Sequence, residues 1–132
     1  MRRLARAYCL VAGGCDVITG LLLVFAPRFA LDLMRVGDPL TEMVWMRFIG
    51  AFVLGVGSLY LYALMREPRG GARLAHVMEA TAIVRCCVGA FTGASIAVGV
   101  LSPAWLSVTL SDLGFAAAQI ILLRLRAFDH DG

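Results

Sequence analysis

The chain has 132 residues, 61% of them hydrophobic and only 16% charged, with a mean hydropathy of +0.85. Such a composition excludes a disordered segment and an ordinary water-soluble domain and describes an integral membrane protein. The formal charge of +3 rests on arginine, since Lys is absent, and most of the arginines stand at the ends of apolar runs rather than on one polar face, which excludes a nucleic-acid-binding surface.

Four apolar runs cover residues 4–25, 43–65, 74–101 and 104–125. Each is long enough to cross a bilayer at about 20 residues per span. Pro27, Pro39, Pro68 and Pro103 fall between the runs or at their edges, where a missing N–H breaks no helix. Short connectors place neighbouring helices antiparallel. The expected fold is an all-α integral membrane protein, one four-transmembrane-helix domain over residues 1–132 packed as an antiparallel four-helix bundle.

In the first run Arg2 and Arg3 precede a weakly lipobox-like Ala12-Gly13-Gly14-Cys15, but the apolar sequence continues from Val17 to Phe25, so the segment is expected to remain a span. After it, Arg28, Asp32 and Arg35 recur at i, i+4 and i+7 on one face of a short amphipathic segment. Two readings stand for it: a helix resting in the outer interface and ended by Gly37, or a lid over a cavity opening outward. Arginine counting sets the orientation. Arg2, Arg3, Arg6, Arg66, Arg69, Arg73, Arg124 and Arg126 lie on one side against Arg28 and Arg35 on the other, which predicts a bacterial inner-membrane protein with both termini cytoplasmic. Trp45 and Trp105 are then expected at the outer interface, and Tyr8, Tyr60 and Tyr62 near the inner one.

Ionisable residues inside spans are costly and call for a partner or a purpose. By helical rise, Asp16 lies roughly 18 Å from the cytoplasmic end of the first span, Arg85 about 17 Å from that end of the third, and Asp112 about 12 Å below the outer end of the fourth. Arg47, about 6 Å below the outer end of the second span, is long enough to reach toward them. Two Asp and two Arg balance, so a neutral network of Asp16, Arg47, Arg85 and Asp112 is expected in the core. Gln119 extends its polar stripe on the fourth span, with Thr109, Asp112 and Ala116. The network either selects one helix packing or lines a pocket in which the arginines hold an anionic or polar headgroup. Gly89-x-x-x-Gly93 and Ala51-x-x-x-Gly55 are spaced to pack helices within one bundle or between two copies.

Glu79 sits about 8 Å from the cytoplasmic end of its span, on a face with His76. A Glu79–Arg124 pair or a Glu79–His76 contact explains it structurally, and an inner-side proton site at His76 and Glu79 is the functional alternative. Cys9, Cys15, Cys86 and Cys87 form no C-x-x-C pair and are expected to behave as small buried hydrophobes, so no metal site is indicated. No cofactor is expected: His76 and His130 are not placed for a bis-His haem, and no Walker motif occurs. Ser58, Ser95, Ser107 and Ser111 lack a nearby His for activation.

The stretch Gly20-Leu21-Leu22-Leu23-Val24-Phe25-Ala26-Pro27, the Leu-rich segment through Val36-Gly37, and residues 47–57 from Arg47-Phe48-Ile49-Gly50 to Gly57 resemble the small bacterial four-span proteins of the DoxX-like group. The resemblance covers roughly the first half of the chain. It implies the four-span fold and a kinship with membrane subunits of quinone-linked oxidoreductases, and it carries no catalytic residue over.

Three functions follow as expectations. The first is a noncatalytic membrane subunit, in a bioenergetic or electron-transfer complex, whose partners are the lipid bilayer and other membrane chains or further copies of itself. The second is a binder of, or enzyme on, a lipophilic small molecule of quinone or lipid type, held by Arg47 and Arg85 with Asp16 or Asp112 moving a proton. The third is a small proton-coupled transporter acting as a dimer.

Overall fold

The computed structural model describes residues 2–36, 43–67 and 71–125. Gly37, Pro39, Pro68, Arg69, Arg126 and His130 lie outside the described residues. The described chain is all α: α1 (Arg2–Phe25), the short α2 (Pro27–Leu33), α3 (Met43–Arg66), α4 (Ala72–Ala97), a one-turn 3-10 helix (Pro103–Trp105) and α5 (Leu106–Arg124). α1, α3, α4 and the last segment from Pro103 to Arg124 are each long and apolar enough to cross a membrane.

The first two expected spans match α1 and α3 at their ends, whereas the third stops earlier than the apolar run to 101. Gly99, at φ 75, takes the left-handed conformation that a missing Cβ allows. The Val100 N–H then bonds to the Ser95 carbonyl at 2.9 Å and the Gly99 N–H to that of Ile96 at 3.0 Å, the paired closure that ends a helix. Hydropathy does not register this stop, because the residues beyond it are as apolar as those before.

α2 closes in the same way at an unexpected place. The Val36 N–H bonds to the Leu31 carbonyl at 2.9 Å and the Arg35 N–H to that of Asp32 at 3.0 Å, with Arg35 itself at φ 55. Arg35 thus leaves the helix instead of continuing the charged face of Arg28 and Asp32, and the turn falls two residues before Gly37. What offsets the left-handed arginine is burial: Val36 packs with Leu31 and Met46, flanked by Met43 and Trp105, to close this end of the bundle.

The long helices form two antiparallel pairs. In α1 and α3 the backbones touch: a Cβ on Gly20 would lie 2.6 Å from the Leu54 nitrogen, and one on Gly57 2.7 Å from that of Val17. α4 and α5 pack through a side chain instead, with Leu113 seated over Gly89. Gly89 therefore packs inside the bundle, while Ala51 and Gly55 lie on an exposed face and a Cβ on Gly55 would meet nothing. The pairs join over a core of Cys9, Ala12, Tyr60, Ala63, Leu74, Met78 and Leu122.

Polarity is inverted relative to a water-soluble bundle. Thr81, Arg85, Thr92, Ser95, Thr109 and Gln119 are buried, while Ile18, Phe48, Phe52, Ile83 and Phe91 point outward. On α4 the buried residues Leu74, Met78, Thr81, Arg85, Gly89, Thr92 and Ser95 follow steps of three or four, the spacing of one helix face.

Because a side chain at position 20 must displace backbone and one at 55 displaces nothing, Gly20→Val is expected to cost about 1–3 kcal/mol. Gly55→Ala should stay within about 0.5 kcal/mol of the parent. Thermal unfolding of both variants in the same detergent checks the pair.

Candidate functional site

Midway along the bundle, Arg85 on α4 reaches across to two other helices. One terminal nitrogen donates to Asp112 Oδ1 on α5 at 2.7 Å and the other to Asp16 Oδ2 on α1 at 2.5 Å. Arg85 is only 5% exposed. The Asp16 and Asp112 side chains are 13% and 18% exposed. The guanidinium carbon lies 4.7 Å from the centre of the Phe115 ring, a cation–π contact that adds to the enclosure. The planar fork of arginine suits this task, because it presents separate N–H groups to two carboxylates at once.

Arg47 does not join them. It is exposed, and the ion pairs among the described residues are Arg85 with Asp16, Arg85 with Asp112, and Arg73 with Glu67. The buried stripe of α3 runs through Met46, Gly50, Gly57, Tyr60 and Ala63. Position 47 is turned about 100° from Met46, so reach along the axis cannot bring its side chain into the core. The cluster consequently has one guanidinium for two carboxylates. With all three groups ionised it carries a formal charge of −1 rather than the expected zero.

Gln119 belongs to a separate polar layer nearer the end where the chain begins and ends. It is fully buried, and its amide nitrogen donates to the Tyr60 hydroxyl, to Thr81 Oγ1 at 2.8 Å and to the Met78 carbonyl at 3.3 Å. The Tyr60 and Thr81 hydroxyls lie 2.6 Å apart, and Thr81 donates to the Val77 carbonyl at 2.7 Å. The Met78 carbonyl decides which way the amide points, since the opposite orientation would set two acceptors against each other. A third layer, toward α2, pairs the hydroxyls of Thr92 and Thr109 at 2.7 Å.

Tyr60 was expected at the interface, yet it is fully buried. Tyr8 also turns inward, donating to the Phe115 carbonyl at 2.9 Å, and Tyr62 alone of the three is exposed, beside Arg66. The signal that could have placed Tyr60 is its position three residues after Gly57 and three before Ala63, on a small-residue stripe that leaves room for an aromatic ring.

His76 and Glu79 are both exposed, and neither hydrogen-bonds to the other or to Arg124 among the described residues. The α4 seam passes through Leu74, Met78 and Thr81, which turns 76 and 79 outward. His76 lines a shallow open cleft of about 460 Å³ with Leu59, Glu67, Ala72, Arg73, Val77 and Ala80, and Glu79 does not. Glu67 there accepts the Arg73 backbone N–H at 3.2 Å, serving the first turn of α4. Of the cysteines only Cys9 is buried, and Cys15, Cys86 and Cys87 are exposed, the last two falling between the buried α4 positions 85 and 89. Among the described residues no group of three or more His, Cys, Asp or Glu side chains could hold a metal ion.

No family model matches the chain, and comparison with the curated proteins and with the solved structures returns no match.

Chemically, both terminal nitrogens of Arg85 end on carboxylates, while its Nε is enclosed without a partner. The site offers carboxylate oxygens outward rather than guanidinium. Arg85→Leu should cost about 3–5 kcal/mol, because two carboxylates lose their counter-ion. Arg85→Lys should fall between it and the parent, as one ammonium serves two arms poorly. Arg47→Ala, at an exposed position, should change stability by no more than about 0.5 kcal/mol. Melting temperatures of the three purified variants test this ranking, which reverses if Arg47 is the structural cation.

Proposed function

We propose that the chain is a noncatalytic integral membrane subunit, one that contributes helices to a bioenergetic or electron-transfer assembly. The observation that supports this reading most is the double engagement of Arg85, whose charge is taken up by Asp16 and Asp112 from two other helices. Side chains so used hold a bundle together and leave little to grip a substrate. The Gln119 amide nitrogen bonds to Tyr60 and Thr81, and Thr92 bonds to Thr109, while Gln119 Oε1 is enclosed without a partner. Outward, the chain presents large apolar side chains to lipid and the small residues Ala51 and Gly55 to a neighbouring helix of another chain or another copy. In this reading the protein lies in a bacterial inner membrane with both termini cytoplasmic, following the arginine bias, and its kinship is with the DoxX-like group.

A second reading draws on the surplus carboxylate. A lipophilic small molecule bound beside Asp16 and Asp112, or a solute moved by a proton-coupled dimer, would meet carboxylate oxygens first. Its recognised group would be a cation or a hydrogen-bond donor, not the anionic headgroup that two free arginines would have suited.

Native mass spectrometry of protein extracted gently from its host membrane separates the two. The subunit reading expects other chains at fixed stoichiometry. It fails if the protein emerges as a monomer or homodimer carrying a small lipophilic molecule that is lost in Asp112→Asn, a change that keeps the shape and removes the charge.

A further inference from the structure

Most buried positions of the two helix pairs coincide under a constant shift, while Arg85, Ser95 and Met46 fall on half-buried equivalents. On α1, Ala5, Cys9, Ala12, Gly13, Gly20 and Leu23 are buried, and the residues 69 positions later, Leu74, Met78, Thr81, Ala82, Gly89 and Thr92, are buried on α4. On α3, Gly50, Gly57, Tyr60 and Ala63 are buried, and the residues 59 positions later, Thr109, Ala116, Gln119 and Leu122, are buried on α5. The half-buried residues that flank the core obey the same shifts: Tyr8 with Val77, Val56 with Phe115, and Leu64 with Leu123. The ten-residue difference between the shifts is taken up in the connector, where the first pair carries α2 and the second only a turn and one 3-10 helix.

Contacts repeat as well as burial. Gly20 meets the Leu54 backbone and Gly89 the Leu113 side chain, the same two residue types at equivalent places in a closer and a wider pair. Gly50 abuts Leu23 where Thr109 meets Thr92. Across the junction, equivalent residues touch each other: Asp16 bonds to Arg85, and Tyr60 to Gln119. Self-contact of equivalent positions is what a two-fold axis imposes on the residues beside it, and since α1 and α4 run the same way, the axis lies along the helices.

We infer that the chain is two copies of one helical hairpin, residues 2–66 and 72–124, joined face to face as a fused homodimer, so that the partner each inner face fits is a second hairpin of its own kind. The charges are placed asymmetrically within this symmetric frame. Asp16 and Arg85 occupy equivalent sites with opposite sign, and Asp112 stands where the first hairpin has Val53.

The symmetry makes a demand that a bundle of four unrelated helices would not. Exchanging the central pair alone, with Asp16→Arg and Arg85→Asp, puts a carboxylate at position 85 against Asp112 and an arginine at 16 against Val53. Adding Val53→Asp and Asp112→Val moves the second carboxylate to its two-fold equivalent and rebuilds the cluster in mirror assignment. By size-exclusion chromatography in detergent, the double variant should lose at least about tenfold in monodisperse yield and the quadruple variant should recover most of it. The inference is overturned if the quadruple variant does no better than the double, or if the double already behaves as the parent. A second measurement leaves the central charges intact. In a full-length chain with Cys9, Cys15 and Cys86 replaced by Ala, spin labels on Ile18→Cys with Phe52→Cys and on Cys87 with Ser111→Cys, all exposed positions, should give distances equal within about 2 Å. A disagreement of more than about 5 Å rejects the two-fold.

Discussion

A guanidinium held in hydrocarbon has to be surrounded before its helix can stay there. Arg85 meets that constraint by drawing in Asp16 from α1 and Asp112 from α5, so three helices are fixed in depth and rotation by one side chain. Rotating α4 by a single position would carry Arg85 out of reach of both carboxylates and turn its seam toward lipid. The remaining packing is consistent with that register, from the Tyr60–Thr81–Gln119 layer on one side of the clamp to the Thr92–Thr109 pair on the other.

This arrangement also explains why the bundle is polar inside. Lipid rewards outward Leu, Ile and Phe as well as a core would, so apolar contact cannot tell the helices which faces belong together. Hydroxyl, amide and charged groups can, because each is costly when left without a partner. The small residues act with them: contact at Gly20 and Gly57 brings α1 and α3 close enough for short-range packing to count.

Much of this was legible in the sequence, and the misses have a common cause. Span positions follow from the length of apolar runs, and the meeting of Asp16, Arg85 and Asp112 follows from depth in an antiparallel chain. Depth alone does not say which way a side chain faces. That is why Arg47, at a reachable level, stands outside the bundle, and why Glu79 and His76, close in sequence, make no pair. Tyr60 was hidden by the habit of aromatic residues near span ends to sit at an interface, and only the small residues on its stripe marked it as core. Helix ends set by a left-handed residue, at Gly99 and Arg35, depend on backbone geometry to which hydropathy is blind.

The order of the helices along the chain bears on how the protein enters its membrane. α4 has the lowest mean hydropathy of the four spans, 1.5 against 2.0 for α1, and it carries the buried arginine. During synthesis α1 emerges before α4 and is the more apolar of the two, so Asp16 is already in the bilayer when α4 leaves the ribosome. The less apolar helix is thereby received by its counter-ion rather than by bare lipid, and α5 brings the second carboxylate last. A permuted chain with α4 leading would have to insert its arginine with nothing to meet it.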